Sequence, residues 1–135
     1  MWANLYLQLP FKPFGRDRSG VDCWGLVALV YAEQLGLVLP QFDGVDPSDN
    51  ATIADVVGRE RLSWRPVALE ARAAFDVVVM RARIIRDGRA MTPEMHLGIV
   101  TPERRILHIR KETGVTCVPV DHPSVARLIA GVYRR

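Results

Sequence analysis

The sequence predicts an α+β fold, with N-terminal helices packed on an antiparallel β-sheet of about five strands, and three observations lead there. An apolar run from Cys23 to Leu35 has the continuity of a buried helix, and short β-patterned segments crowd the second half of the chain. These segments follow the helix as a block instead of alternating with helices, the order expected of α+β. With 135 residues, 49% of them hydrophobic, the chain can close one core, so residues 1–135 are expected to form a single domain.

Each element has a local cause. Asp22 stands where a helix N-cap belongs, its carboxylate placed to accept from the first orphan N–H groups, and Gly36 supplies a left-handed stop after about three turns. Pro40 to Asn50, rich in Pro, Gly and Asp, reads as a lid-like loop, and Thr52 is placed to cap a helix carrying Ile53, Val56 and Val57 on one face. From Trp64 to Val67 the chain turns extended. Strands are expected at 76–85, 95–100, 105–110, 114–120 and 127–133, with Arg86-Asp87-Gly88-Arg89 as a turn.

The chemistry gathers around Cys23, His96 and His108. A thiol in the first turn of a helix meets unpaired N–H groups and roughly half a positive charge, which favours thiolate. His96 and His108 lie on two strands joined through Thr101-Pro102-Glu103-Arg104. Matching their apolar faces pairs Leu97 with Leu107 and Val100 with Arg104 around a three-residue loop, which sets His96 directly opposite His108 with Cβ atoms about 5 Å apart. Gly25 and Gly98 are expected to let helix and strand approach closely, bringing Cys23 to His96. A nucleophile, a base and a second imidazole that orients the base would then stand in line.

The string Gly15-Arg16-Asp17-Arg18-Ser19-Gly20-Val21-Asp22-Cys23-Trp24-Gly25-Leu26-Val27 resembles the nucleophile motif of the NlpC/P60 cysteine peptidases. Ala74-Phe75-Asp76-Val77-Val78-Val79-Met80 is similar to that family's first core strand after the helix, and His96-Leu97-Gly98-Ile99-Val100 to its histidine strand, with His108 in the third catalytic position. The resemblance implies a papain-like fold and hydrolysis of peptidoglycan stem peptides between γ-D-glutamate and a diamino acid. It implies Cys23 as nucleophile, His96 as general base and then acid, His108 as its orienter, and the Cys23 backbone N–H as oxyanion donor. Asp22, Trp24 and Tyr6 are the expected substrate-binding residues: Asp22 toward the substrate amine, Trp24 narrowing the cleft, and Tyr6 replacing a family tyrosine where this chain has Phe11. Trp24 after the cysteine and the terminal Gly131-Val132-Tyr133-Arg134 resemble the branch carried by phage and gene-transfer-agent tails. Phage-like tail or hub proteins are the partners this implies.

Other classes fit less well. A net charge of +3 comes from scattered arginines without a basic helix or aromatic-basic repeat, so nucleic acid is not an expected partner. Met1 to Pro10 lacks a positive leader and a cleavage site, and no segment is long enough to span a bilayer; synthesis in the cytoplasm, incorporation into a tail particle and no membrane insertion are expected. A Cys23–Cys117 disulfide is not expected there, and Cys117 reads as structural. No close Cys or His pair has zinc spacing, so neither metal nor cofactor is expected, and His122 before Pro123 reads as an exposed turn residue. Two other roles stay open: a tail-tip component that binds a peptide without cutting it, and an acyltransferase or amidase using the same thiol.

Overall fold

The computed structural model describes residues 2–40, 58–59 and 63–135. The loop beyond Pro40 and the helix expected after Thr52 lie outside the described residues.

A 3-10 turn over Trp2–Tyr6 leads to a small hairpin of β1 (Arg16–Asp17) and β2 (Gly20–Val21), then to α1 (Cys23–Val30), which continues as a π-helical turn over Tyr31–Leu35. Gly36 ends it at φ +65°, the left-handed stop expected there. The strands that follow are β3 (Arg65–Val67), β4 (Val77–Arg81), β5 (Ile84–Arg86), β6 (Arg89–Met91), β7 (Glu94–Val100), β8 (Ile106–Arg110), β9 (Gly114–Val118) and β10 (Ile129–Arg134). Six of them form one antiparallel sheet in the order β3-β10-β4-β7-β8-β9, one strand more than the sequence reading, because Arg65–Val67 adds an edge. The long strand expected over 76–85 breaks after Arg81. Ile84 onward pairs instead in a separate β5–β6 hairpin, turned by Asp87 and Gly88 at φ +52° and +75°.

The sheet separates two apolar layers. Leu26 to Tyr31 of the helix pack with Val77, Val79, Leu97, Ile99, Leu107, Ile109 and Val115 on one face. On the other, Val78, Met80, Val100, Ile106 and Val132 pack with Val125. Because β4 is covered on both sides, Val77 to Met80 reads as a continuous apolar run and not as an alternation.

The β7–β8 register departs from the expected one. Observed pairs are Gly98 with His108, Ile99 with Leu107 and Val100 with Ile106, so the histidines sit diagonally and not directly opposite. The loop has three residues as expected, but it is Pro102 to Arg104. Thr101 N–H donates to Arg105 O (2.9 Å), Arg104 N–H donates to Thr101 O (2.8 Å), and Arg104 takes φ +65°. Proline explains the slide: it suits the first central position of a type I turn and is disfavoured at the second, where the expected register would have put Pro102. Moving the loop by one residue shifts the pairing sum by two, which preserves the faces and keeps both imidazoles on one surface.

The two glycines do not meet. A Cβ on Gly25 would lie 1.9 Å from the Gly15 carbonyl oxygen, so the missing side chain admits the loop before β1. Gly98 faces away from the helix, toward Ile106 and Met80. Gly25→Ala is therefore expected to destabilise the fold by about 2–3 kcal/mol through overpacking against backbone, measured by urea unfolding. A neutral result would mean that the Gly15 loop is not held there.

Candidate active site

Asp22 builds the helix entrance. Its Oδ1 accepts from Gly25 N–H (2.7 Å) and from Arg16 Nη1 (2.8 Å), and its Oδ2 accepts from Phe14 N–H (3.1 Å). The N-cap predicted from sequence is present, with more attached than a cap requires. Asp22 is only 7% exposed and its carboxylate is occupied within the protein, so it serves as scaffold and not as the expected contact for a substrate amine.

This clamp fixes Cys23 at the first helical position, half-buried and reduced, as is Cys117. Its Sγ lies 4.0 Å from the carbonyl oxygen of Met95, and the N–H groups of Leu97 and Trp24 act on it as well. The sulfur thus flanks the strand segment that carries His96. Two features of β7 meet here. Met80 pairs with His96 while Arg81 pairs with Glu94, so Met95 is the extra residue of a β-bulge, a device that re-aims neighbouring side chains. On the other edge, the register with β8 ends at Gly98 and His108.

His96 Nε2 and His108 Nδ1 are 3.1 Å apart, with ring centroids 5.3 Å apart and planes at 75°. His96 is half-buried and His108 is 4% exposed. Both imidazoles are held well below their ordinary pKa: His96 by burial, then by His108 and Arg110; His108 by burial, then by Arg110 and His122. Both shifts favour the neutral imidazoles.

The thiol overturns an expectation. Burial pushes Cys23 up to about 11, the Asp22 carboxylate adds to the rise, and the N–H groups of Leu97 and Trp24 and the Arg16 charge offset it only in part. The helix end alone favours thiolate, but here burial and the capping carboxylate beside the sulfur both oppose it. Both effects favour the thiol over the thiolate at rest.

The remaining expected residues scatter. Tyr6 is fully buried; its hydroxyl donates to Glu33 (2.7 Å) and accepts from Gln34 (3.1 Å), at the opposite end of the helix from Cys23, so it cannot replace the family tyrosine near the sulfur. Phe11 bridges to Val21 and lies under the Lys111 ammonium, 5.5 Å from the ring centre. Trp24 is half-buried, and its indole N–H donates to the Pro40 carbonyl, which ties the next loop to the helix start. Cys117 is half-buried opposite Leu107, against the main core, and His122 is exposed in its turn. Sequence reasoning missed Arg16, the Met95 bulge, and Arg110 and Thr116 on the His108 face. Strand alternation from His108 was the signal for Arg110.

The NlpC/P60 family pattern matches residues 8–134. No curated protein matches the sequence. Among solved structures, a protein of the NLP/P60 family from Staphylococcus aureus subsp. aureus Mu50, described as similar to lipoprotein, aligns with TM-score 0.63 at 19% identity, covering 98% of this chain and 38% of that one. An NlpC/P60 family protein from Bacillus cereus ATCC 10987 gives 0.64 at 21%, covering 98% and 37%. The NlpC/p60 domain of the peptidoglycan hydrolase SagA gives 0.62 at 18%, covering 98% and 92%. The chain thus spans little more than a third of the first two, and at these identities the likeness is one of fold.

Burial of the two imidazoles makes stability depend on pH. Their folded pKa values lie below the unfolded value of about 6.5, so between the two the unfolded chain binds more protons. Their contribution to stability is fully present above the unfolded value of about 6.5 and is lost as the pH falls toward the folded values. Urea midpoints measured from pH 8 down to pH 4 are expected to decline, and His108→Asn is expected to flatten the decline. A flat wild-type profile would contradict neutral buried imidazoles.

Proposed function

The chain belongs to the NlpC/P60 family, and on that premise we propose that it is a cysteine peptidase acting on peptidoglycan stem peptides, at the bond between γ-D-glutamate and the diamino acid. The observation that carries the reading is the 3.1 Å bond between His96 and His108, with the thiol at a capped helix start lying against the strand that bears His96.

In this reading the Cys23 sulfur attacks the amide carbon as His96 Nδ1 takes the thiol proton, and His96 Nε2–H donates throughout to His108 Nδ1. The Cys23 backbone N–H, which has no acceptor within its helix, receives the developing oxyanion. His96 then returns its proton to the leaving amine, and water, deprotonated by the same ring, hydrolyses the thioester. With a thiol near pKa 11, proton transfer accompanies attack instead of preceding it. His108 is a positioning residue. Trp24, whose indole is tethered to the Pro40 carbonyl, is assigned in this reading to the wall of the substrate cleft.

We further propose that residues 1–135 act as one catalytic domain, made in the cytoplasm and carried to the wall by a phage-like tail. Trp24 after the cysteine and the Gly131-Val132-Tyr133-Arg134 ending support that branch.

Purified wall peptides incubated with the protein and with Cys23→Ser, analysed by mass, test the reading. Fragments cut at the γ-D-glutamyl bond by the first and not by the second are expected, with loss of at least a thousandfold in kcat. Equal products from both would overturn it. No cutting by either, together with cosedimentation on tail particles, would favour a peptide-holding assembly role.

A further inference from the structure

His108 has a second ring nitrogen whose role the peptidase reading leaves open. Its Nδ1 faces His96, while Nε2 is buried with no hydrogen-bond partner among the described residues, and so is Thr116 Oγ1. His108 and Thr116 are directly paired across β8 and β9, so their side chains stand on the same face. Both line a cavity of about 290 Å³, whose walls also include Arg110, Glu112, His122 and Ser124. The two nitrogens of an imidazole point to opposite sides of the ring, so the cavity lies beyond His108 as seen from His96.

The proton order follows from chemistry. If His96 Nδ1 is to accept from Cys23, its ring proton sits on Nε2 and is donated to His108 Nδ1. A neutral His108 then carries its single proton on Nε2. The unmet group is therefore a donor. A buried donor without an acceptor is destabilising, and an acceptor in the cavity removes that penalty.

After burial, Arg110 is the main influence opposing protonation of His108, so its surroundings favour a negative guest over a positive one. Ser124 N–H donates to His122 Nδ1 (3.1 Å), so Nδ1 is an acceptor there and the ring's N–H is Nε2, another donor. Glu112 opposes an anion, but it lies on the exposed turn after β8.

We propose that this cavity is a carboxylate-binding subsite, in which His108 Nε2–H, the Thr116 hydroxyl and the Arg110 guanidinium receive a free carboxylate of the peptide substrate remote from the scissile bond. The inference rests on the peptidase reading and deepens it. A carboxylate on Nε2–H holds His108 in the tautomer whose Nδ1 accepts from His96, so an occupied subsite keeps His96 Nδ1 unprotonated and ready for the thiol. Substrates bearing that carboxylate prepare their own base.

The test uses N-acetyl-D-alanine and its carboxamide as probes, titrated into the full chain with ¹⁵N-labelled histidine and followed by long-range proton–nitrogen spectra. The acid is expected to shift the His108 Nε2–H signal saturably, and the amide to bind at least tenfold more weakly. Arg110→Gln and Thr116→Val should each weaken the acid about tenfold while the His96–His108 signals persist as evidence of an intact fold. Stem peptides with free and amidated carboxylates should differ about tenfold in kcat/KM, with the difference reduced in Arg110→Gln.

Equal binding of acid and amide, a His108 proton found on Nδ1, or a shift untouched by both substitutions would overturn the subsite. Cleavage of both peptides alike without a His108 shift removes the subsite and leaves the peptidase standing. Carboxylate binding at His108 without cleavage of any wall peptide does the reverse.

Discussion

The carboxylate of Asp22 holds the site together. It joins the helix end through Gly25 N–H, the approach loop through Phe14 N–H and the β1 arm through Arg16, so the helix cannot shift without breaking charge-assisted hydrogen bonds. The absent side chain at Gly25 lets the Gly15 carbonyl close on the same point. The clamp also has an electrostatic consequence. A negative group beside Cys23 counteracts the helix end, and with burial it leaves the sulfur protonated. The carboxylate that fixes Cys23 at the helix start thus also disfavours its thiolate.

The sheet meets this fixed point with an irregular strand. Helix α1 packs on the face carrying Leu97 and Ile99, while the histidines share the opposite surface with Val100 and Ile106. The bulge at Met95 and the end of the β8 register at Gly98 are where the ladder is interrupted, and the sulfur lies at that interruption.

Much of this was legible in the sequence. Asp22 and Gly36 marked the helix ends, the Asp87-Gly88 turn was readable, and the apolar faces of 95–100 and 105–110 put the two imidazoles on one surface. The register was readable too, through Pro102, but apolar matching alone does not weigh turn chemistry. Tyr6 was misplaced because nearness in sequence says nothing about which end of a helix a residue packs on. The thiol was misjudged because the helix-end effect is local and visible in sequence, whereas burial is set by the whole fold. The bulge had no sequence signal, since Met95 resembles any strand residue.

The proposed peptidase chemistry starts from a protonated Cys23 and an unprotonated His96. The ultraviolet absorbance of the thiolate, followed against pH in a Cys117→Ala background with Asp22→Asn for comparison, measures the state of Cys23 directly. The account predicts a Cys23 midpoint well above the ordinary thiol value, near 11, and a lower one when the Asp22 charge is removed. A wild-type midpoint at or below neutral pH would mean a preformed thiolate–imidazolium pair and would contradict it.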